Sequence, residues 1–282
     1  MEKETHSFPT EEVILPSKGI LYSKDSPLSK GDIEIKYMTA KEEDILTNQN
    51  YINNATVIDK LLQSLIVTPI NYDDLLIGDK NAILVAARIL GYGSEYNFKY
   101  KDQEVSIDLT DIKDKEFDES LMINKNVNEF EWKGQQVSID LTKLKEQEIN
   151  KDLAEEGKNE FFYTLPISKK QLTFKILNHG DDQKINKELE GLKKMNKNAA
   201  SNITTRLKHQ ITSIDGNREQ KDIRSFIDNE FLAQDARSFR KHVKSIGGDI
   251  DLNVDIEMPD GTHEESVSLP IGISFFWPDA EI

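Results

Sequence analysis

The sequence feature that most constrains the fold is a repeat, because VSIDLT occurs at Val105–Thr110 and again at Val137–Thr142. The match extends without a gap over residues 98–116 and 130–148, at an offset of 32 residues (137 minus 105). In both copies Val, Ile and Leu alternate with Ser, Asp and Thr, which is the two-residue period of a β-strand. Aromatic residues and a turn precede this strand in each copy. The repeat therefore predicts two β-hairpins, each with one apolar face.

The aspartates of the repeat have two interpretations. Asp108 and Asp140 occupy the same place in the two copies and could act as ligands on matching strands. Alternatively, they lie on the solvent face while the apolar side chains build a sheet. Because the apolar positions and the flanking aromatic residues repeat in register, the pattern favours the architectural interpretation.

Before the repeat, the sequence predicts a helical N-terminal domain over residues 1–94, preceded by an extended segment. Thr39 and Glu42 have the spacing of a capping box, in which each side chain satisfies a backbone donor at a helix start. We therefore expect a helix from here to about Thr47. A second helix opens at Thr56 and carries apolar residues at helical spacing on one face. They are Val57, Leu61, Leu62 and Leu65.

A third helix is predicted from about Asp79 to Gly91, with Asp79 as its capping residue. Gly78-Asp79-Lys80 superficially resembles part of a phosphate-binding loop, but the preceding glycine-rich loop and the following Ser or Thr are missing. A turn and a helix start explain these residues better, because an Asp side chain accepts hydrogen bonds from the free backbone donors of a first helical turn.

Residues 95–180 are predicted to form a β-hairpin region that contains the repeat. The first strand of the first hairpin is expected at Tyr96–Tyr100, where aromatic and polar residues alternate. A third hairpin is expected from strands over residues 161–165 and 171–177, on either side of a polar turn.

The last segment, residues 181–282, begins with a predicted long helix from Asp181 or Asp182 to Ile214. Its apolar residues step mostly by three or four and form a narrow stripe, as in a helix that pairs with another helix. They are Ile185, Leu189, Leu192, Met195, Ala199, Ile203 and Leu207.

Two shorter helices and a final hairpin are predicted to follow the long helix. The helices cover about residues 218–230 and 233–245, and the strands cover residues 251–257 and 264–269. The predicted fold class is α+β, with a helical N-terminal domain, a β-hairpin-rich middle, a long helix and a C-terminal helix–hairpin unit.

The charge of the chain limits its partners. The 51 acidic and 36 basic residues give a formal net charge of −15. Nucleic acid is not expected as the main partner, because phosphate neutralisation requires clustered Lys and Arg. An anionic membrane surface is not expected either, for the same reason.

The chain has the composition of a soluble protein made in the cytosol. It contains no cysteine, which excludes disulfides, thiolate zinc sites and thiol nucleophiles. Its polar and acidic start indicates that there is no signal peptide. The longest apolar run, Ala82–Ala87, is too short to span a bilayer.

No catalytic, metal-binding or cofactor-binding residue is predicted, and we do not expect an enzyme. Asp249–Asp255 resembles the start of a calcium loop, but Val254 stands where the sharp turn requires Gly, and no bidentate Glu follows. The five histidines lack the paired spacing of a zinc site. Gly91–Gly93 lacks the third glycine of a dinucleotide fingerprint.

The closing aromatic sequence is the candidate partner-binding site. It consists of Phe275, Phe276, Trp277 and Pro278. Three consecutive aromatic residues cannot all face one side of a strand. They either fill a crevice in the core or dock into a partner as aromatic anchors.

Three parts of the chain carry a resemblance to a known family. The first is Leu15–Gly19 (LPSKG) with Tyr22, and the second is Asp74–Leu84 (DLLIGDKNAIL) with Arg88 and Gly91–Tyr96 (GYGSEY). The third is Arg237–Val243 (RSFRKHV) with Phe275–Pro278 (FFWP). Together they resemble the baseplate hub subunit and hub-assembly chaperone family of T4-type contractile-tailed phages. The resemblance is weaker between about residues 110 and 230.

The resemblance implies a non-enzymatic phage protein that builds the hub of a contractile-tail baseplate, as a chaperone or as a retained subunit. Its partners would be other hub and tail proteins, in the host cytoplasm during assembly and in the virion if it is retained. An alternative is an acidic adaptor or regulatory binding module that forms a dimer through the predicted long helix.

The chain departs from the pattern of that family at two hairpin tips. The resemblance implies Cys-x-x-Cys zinc knuckles there, whereas this chain has Lys101–Gln103 and Pro259–Thr262, without thiols. Turn residues are expected to close these hairpins instead, and no zinc is expected.

Overall fold

The computed structural model describes residues 9–100, 103–106, 136–140, 144, 146–147, 156–195, 202–257 and 261–276. In its first half the elements are β1 (Thr10–Ile14), β2 (Asp32–Lys36), α1 (Ala40–Leu46), α2 (Gln49–Asn53), α3 (Val57–Leu65), α4 (Ile77–Tyr92), β3 (Glu95–Tyr100), β4 (Gln103–Ser106), β5 (Gln136–Asp140) and β6 (Glu146–Gln147). In its second half they are β7 (Phe161–Thr164), β8 (Gln171–Phe174), α5 (His179–Met195), α6 (Asn202–Gln210), β9 (Ile211–Ile214), α7 (Gln220–Asn229), α8 (Ala233–Ile246), β10 (Asp249–Ile250), β11 (Asn253–Glu257), β12 (His263–Ser268) and α9 (Ile273–Phe276). Helices and small antiparallel sheets confirm the predicted α+β class.

The chain divides into two units that are each assembled from distant segments. Unit 1 comprises residues 1–36, 66–84 and 146–250, and unit 2 comprises residues 37–65, 85–145 and 251–282. The predicted domains are consecutive segments of the chain, with boundaries after residues 94 and 180. These boundaries stay predictions.

Unit 1 contains an antiparallel sheet in the order β7-β8-β9. Phe161 lies opposite Phe174, which confirms the third predicted hairpin. Helix α8 covers one face of this sheet, since the ring of Phe239 lies edge-on to Phe174 with centroids 5.0 Å apart. The hydroxyls of Tyr163 and Ser238 are hydrogen-bonded at 2.6 Å. Aromatic packing therefore holds α8 against the strands.

The long helix predicted between Asp181 and Ile214 is present only in part. Helix α5 begins after Asn178, whose Oδ1 accepts a hydrogen bond from the Asp181 N–H at 2.9 Å, so the cap is Asn178 and not an aspartate. The prediction is wrong for Ile211–Ile214, which form strand β9. Pairing with β8 satisfies the backbone of this segment, and its β-branched residues suit a pleated surface.

The predicted apolar stripe is divided between α5 and α6, which contact each other within the chain. Ile185 and Leu207 are buried, whereas Ile203 is exposed. Ala199 and the side chain of Met195 lie outside the described residues. Part of the stripe thus packs inside unit 1, and the dimer of the alternative hypothesis stays a prediction.

Three helices of unit 1 meet at an ionic cluster around Glu188 of α5. The Glu188 carboxylate accepts two hydrogen bonds from the Arg224 guanidinium of α7, at 2.7 and 2.9 Å. His209 Nε2 of α6 lies 3.0 Å from the same carboxylate. The hydrogen bonds from Arg224 are the main cause that lowers the pKa of Glu188 to about 2, since they favour its charged form.

We expect Glu188→Gln to lower the free energy of unfolding by about 1 kcal/mol at pH 7, because it breaks a bidentate charge pair whose contribution is reduced by solvent screening. The pKa of Glu188 is lowered from 4.5 to about 2 in the folded state. Its contribution is therefore complete above pH 4.5 and is lost as the pH falls towards 2.

Urea unfolding at a series of pH values measures this difference between the wild type and the variant. Glu190→Gln removes an exposed carboxylate from the same helix, and this control should change stability by less than about 0.5 kcal/mol. A Glu188→Gln effect that does not shrink as the pH falls would contradict the assignment.

The first two of the predicted N-terminal helices are confirmed in unit 2, as α1 and α3. The backbone N–H and the hydroxyl of Thr39 both donate to Glu42 Oε2, at 3.0 and 2.6 Å. Glu42 Oε1 also accepts a hydrogen bond from the Ser64 hydroxyl of α3 at 2.8 Å, so the capping residue links α1 to α3. The four apolar residues predicted for α3 are buried: Val57, Leu61, Leu62 and Leu65. The sequence pattern did not predict α2.

The two copies of the repeat pair with each other in unit 2. Strands β3 and β4 form the first predicted hairpin, and β5 of the second copy is antiparallel to β3. Strands β4 and β5 are parallel, with Glu104 opposite Gln136 and Ser106 opposite Ser138. Both pairs differ by 32 residues (136 minus 104, 138 minus 106), so the copies lie side by side in the register of the repeat.

The final predicted hairpin is also present in unit 2. Strands β11 and β12 are antiparallel, with Val254 opposite Val267, and both side chains are buried. The first strand of the second predicted hairpin, around residues 130–132, lies outside the described residues, as does Asp108.

Candidate functional site

The candidate aromatic site at the end of the chain lies partly in the core of unit 2. Phe275 and Phe276 are fully buried in α9. The ring of Phe275 lies edge-on to Tyr96, with centroids 4.9 Å apart, and it packs against Phe276. This placement agrees with the core interpretation, because a buried side chain does not anchor a partner. Trp277 and Pro278 lie outside the described residues.

Helix α4 begins two residues before its predicted cap. Because Ile77 is the first helical residue, Asp79 lies inside the first turn, and the prediction that Asp79 caps the helix is wrong. The side chain of Asp79 accepts its hydrogen bonds from Ser17 and Tyr22, which precede it by 62 and 57 residues. Donors from the N-terminal segment thus replace the local donors that a capping residue would use.

Ser17, Tyr22 and Asp79 form a buried group that we call the Asp79 cluster. The Ser17 N–H donates to Asp79 Oδ1 at 2.9 Å, and its hydroxyl donates to Oδ2 at 2.7 Å. The Tyr22 hydroxyl donates to Oδ2 at 2.6 Å and accepts from the Leu76 N–H at 2.9 Å. The cluster therefore joins residues 15–22 to the start of α4.

Burial dominates the electrostatics of the Asp79 cluster. Burial raises the pKa of Asp79, while the hydrogen bonds from Tyr22 and Ser17 oppose part of this rise. Burial and the adjacent Asp79 carboxyl raise the pKa of Tyr22 well above its ordinary value. A carboxyl group removed from water depends on its hydrogen bonds, so each donor of the cluster is expected to contribute to stability.

Two glycines allow three backbone segments to approach one another beside the cluster. A Cβ atom on Gly78 would lie 1.9 Å from the Gly248 carbonyl oxygen. A Cβ atom on Gly248 would lie 2.5 Å from the carbonyl oxygen of Pro16. Both distances are far shorter than van der Waals contact, so no side chain fits at either position.

The chemistry that the Asp79 cluster can perform is limited by its burial. A serine hydroxyl next to a carboxylate is one arrangement of a nucleophile and a base. Here the Ser17 oxygen is buried and also accepts a hydrogen bond from the Gly19 N–H at 3.2 Å. Ser17 is 1 % exposed and its hydroxyl takes part in both hydrogen bonds, so the arrangement acts as a hydrogen-bonded clamp.

A second buried cluster surrounds Arg88 in unit 2. The Arg88 Nη1 donates to the Gly93 carbonyl oxygen at 2.7 Å, and its guanidinium lies 5.8 Å from the centre of the Tyr96 ring. The Tyr96 hydroxyl donates to the Pro270 carbonyl oxygen at 2.8 Å, and burial raises the pKa of Tyr96 to about 12. Through the ring of Phe275, this cluster reaches the closing aromatic sequence.

The sequence did not predict that Ser17, Tyr22 and Asp79 come together in the Asp79 cluster. The one signal in the sequence was that Ser17 and Tyr22 belong to the first part of the chain that resembles the hub family, and Asp79 belongs to the second. A single sequence records which residues are polar in an apolar context, but not which distant residue satisfies them.

The remaining candidate residues take part in local hydrogen bonds. In the segment that resembles a calcium loop, Asp251 Oδ1 accepts from the Asn253 N–H, and Asp255 Oδ1 accepts from the Ser266 N–H. Within the described ranges, no group of three or more His, Cys, Asp or Glu is placed to hold a metal ion. In the same part of the chain, no helix has the length and apolar character needed to cross a membrane.

An open cleft of about 410 Å³ in unit 1 lies beside the turn after β9. Asp215 on its wall accepts a hydrogen bond from the Gln171 N–H at 2.8 Å, and Asp222 accepts one from Asn217 at 2.7 Å. These two carboxylates on the wall of the cleft thus hold the turn in place.

Comparison with known proteins adds no family to this description. No protein-family model, no curated protein and no solved structure matches the chain. The resemblance to baseplate hub proteins therefore stays a prediction.

Proposed function

We propose that this protein takes part in building the hub of a contractile-tail baseplate of a bacteriophage, as an assembly chaperone or as a retained subunit. The observation that carries the proposal is the position of the resemblance-bearing residues. Ser17 and Tyr22 come from one such stretch and Asp79 from another, and the three meet in one buried cluster. Buried polar networks specify a fold, so a resemblance in these residues supports a common fold.

The Arg88 cluster supports the proposal in the same way. Arg88, Gly93 and Tyr96 belong to the second resemblance-bearing part, and Phe275 belongs to the third. They contact one another inside unit 2, through the hydrogen bond to Gly93 and the packing of the aromatic rings. Several of the residues that carry the resemblance thus lie in the buried cores of the two units.

Edge strands of unit 1 offer surfaces on which such a protein could hold hub components. Ile14 of β1 is 60 % exposed, and Phe162 of β7 is 76 % exposed. Among the described strands, β1 pairs with β2 alone and β7 with β8 alone. A free strand edge with an exposed apolar side chain can receive an added strand from a partner. The net charge of −15 favours partners with basic faces.

The proposal is tested by mass spectrometry of purified phage particles together with affinity capture of the tagged protein from infected cells. We expect capture of hub or tail proteins in either role. Presence in the particle at a level comparable to other baseplate proteins identifies a subunit, and presence in the captured complexes alone identifies a chaperone. An unrelated acidic protein with the same tag and a similar net charge controls for electrostatic capture.

Two results would overturn the hub proposal. One is capture that contains no hub or tail protein above the level of the acidic control. The other is capture of regulatory proteins alone, which would favour the adaptor alternative. Light scattering on the purified chain tests the dimer of that alternative.

A further inference from the structure

The solvent-facing side of α8 is basic, although the protein as a whole is acidic. Helix α8 contains four basic residues and one acidic residue, a net charge of +3 in a chain of net charge −15. All four basic residues are exposed: Arg237, Arg240, Lys241 and Lys244. Arg240 lies three residues after Arg237 and four before Lys244, and Lys241 lies four residues after Arg237, so all four follow one side of the helix.

The acidic residue of α8 does not neutralise this basic side. Asp235 is fully buried, and its carboxylate accepts hydrogen bonds from the Ile167 N–H at 2.8 Å and the Ser168 N–H at 3.0 Å. These bonds fix the loop after β7 against the first turn of α8. They also place Ile167 at the N-terminal end of α8, the end at which Leu232 directly precedes the helix.

Leu232 occupies a position that suits a different residue type. It is the N-cap of α8, where Ser, Thr, Asp or Asn would accept a hydrogen bond from a free backbone donor, and it makes no such bond. Its side chain is 47 % exposed, and that of Ile167 is 52 % exposed. An apolar N-cap leaves the helix start less stable, and an exposed apolar side chain lowers solubility. A residue with both costs is expected where function requires it.

We propose that Ile167, Leu232, Arg240 and Lys244 form a docking surface for an acidic polypeptide segment of another protein, with an apolar residue at one end. Arg240 and Lys244 attract the acidic side chains of the segment, and the exposed side chains of Ile167 and Leu232 receive its apolar residue. A second copy of the chain is disfavoured because its net charge of −15 repels an identical molecule. A nucleic acid is disfavoured because it would make no use of the exposed apolar side chains of Ile167 and Leu232.

The test is fluorescence anisotropy with a labelled Glu-rich peptide of 14 residues, the length of α8, that carries Leu at one end. A second peptide has Ser in place of Leu, and a single-stranded oligonucleotide of equal charge is the third probe. At about 0.1 M salt, we expect Arg240→Glu with Lys244→Glu to weaken binding of the Leu peptide at least about tenfold. Lys184→Glu with Lys187→Glu makes the same charge change at exposed positions of α5, and it should weaken binding less than about twofold.

Leu232→Ser tests the apolar part of the surface without a loss of folding. It should weaken binding of the Leu peptide about fivefold, leave the Ser peptide unchanged, and raise Tm by about 2 °C because Ser caps the helix. Equal effects of the two double variants would overturn the proposal, as would stronger binding of the oligonucleotide or no peptide binding at about 0.1 mM. Self-association that the α8 variant abolishes, without peptide binding, would also overturn it. The test uses no phage component, so its outcome is independent of the hub proposal.

Discussion

Gly78→Ala is expected to lower the free energy of unfolding by about 3 kcal/mol or more, a large fraction of the roughly 5 to 15 kcal/mol that stabilises an ordinary domain. The added Cβ would lie 1.9 Å from the Gly248 carbonyl oxygen and 2.9 Å from its carbonyl carbon. Both are backbone atoms, so the overlap is relieved only if α4 or the segment around Gly248 moves. Such a movement would also disturb the Asp79 cluster, which follows in the same helical turn.

Gly191→Ala is the matched control, because Gly191 is also a helical glycine of unit 1 and a Cβ there would meet no atom within 4 Å. Alanine is the better helix former, so this variant should gain about 0.5 to 1 kcal/mol. Urea unfolding of both variants checks the opposite signs. A Gly78→Ala protein as stable as the wild type would show that the approach to Gly248 is looser than the structure has it.

Asp79→Ala is expected to lower the free energy of unfolding by about 3 kcal/mol, because it leaves three buried donors of Ser17 and Tyr22 without their acceptor. Asp25→Ala removes an exposed carboxylate from the same unit and should change stability by less than about 0.5 kcal/mol. A double-mutant cycle with Tyr22→Phe should give a coupling free energy of about 1 to 3 kcal/mol, since the two side chains are in direct contact.

The effect of Asp79→Ala is also expected to depend on pH. Because the folded-state pKa of Asp79 is raised, the folded protein binds this proton more tightly than the unfolded chain. The contribution of Asp79 is therefore greatest below the ordinary pKa of 3.8, and it decreases as the pH rises through the folded-state value. The loss of stability in Asp79→Ala should be larger near pH 4 than near pH 8. The opposite trend would mean that hydrogen bonds to the charged form outweigh burial.

Local sequence patterns predicted the structure correctly where the contacts of a segment follow from side chains at regular spacing. The capping box at Thr39 and the buried face of α3 were predicted because both follow from the geometry of one helix. Local patterns failed at Ile211–Ile214, whose apolar residues also fit the end of a helix. The backbone of β8, about 40 residues earlier in the chain, decided that this segment is a strand.

The sequence by itself determined the α+β class and the type of most elements, because period, turns and caps act over a few residues. It also determined that VSIDLT belongs to a sheet, and the tertiary structure added that the two copies pair in parallel at the offset of the repeat. Only the tertiary structure decided that Asp79 holds the N-terminal segment, that Gly78 admits no side chain, and that Phe275 is core. The physical reason is that these contacts join residues 57 to more than 170 positions apart, and a single sequence carries no distance between them.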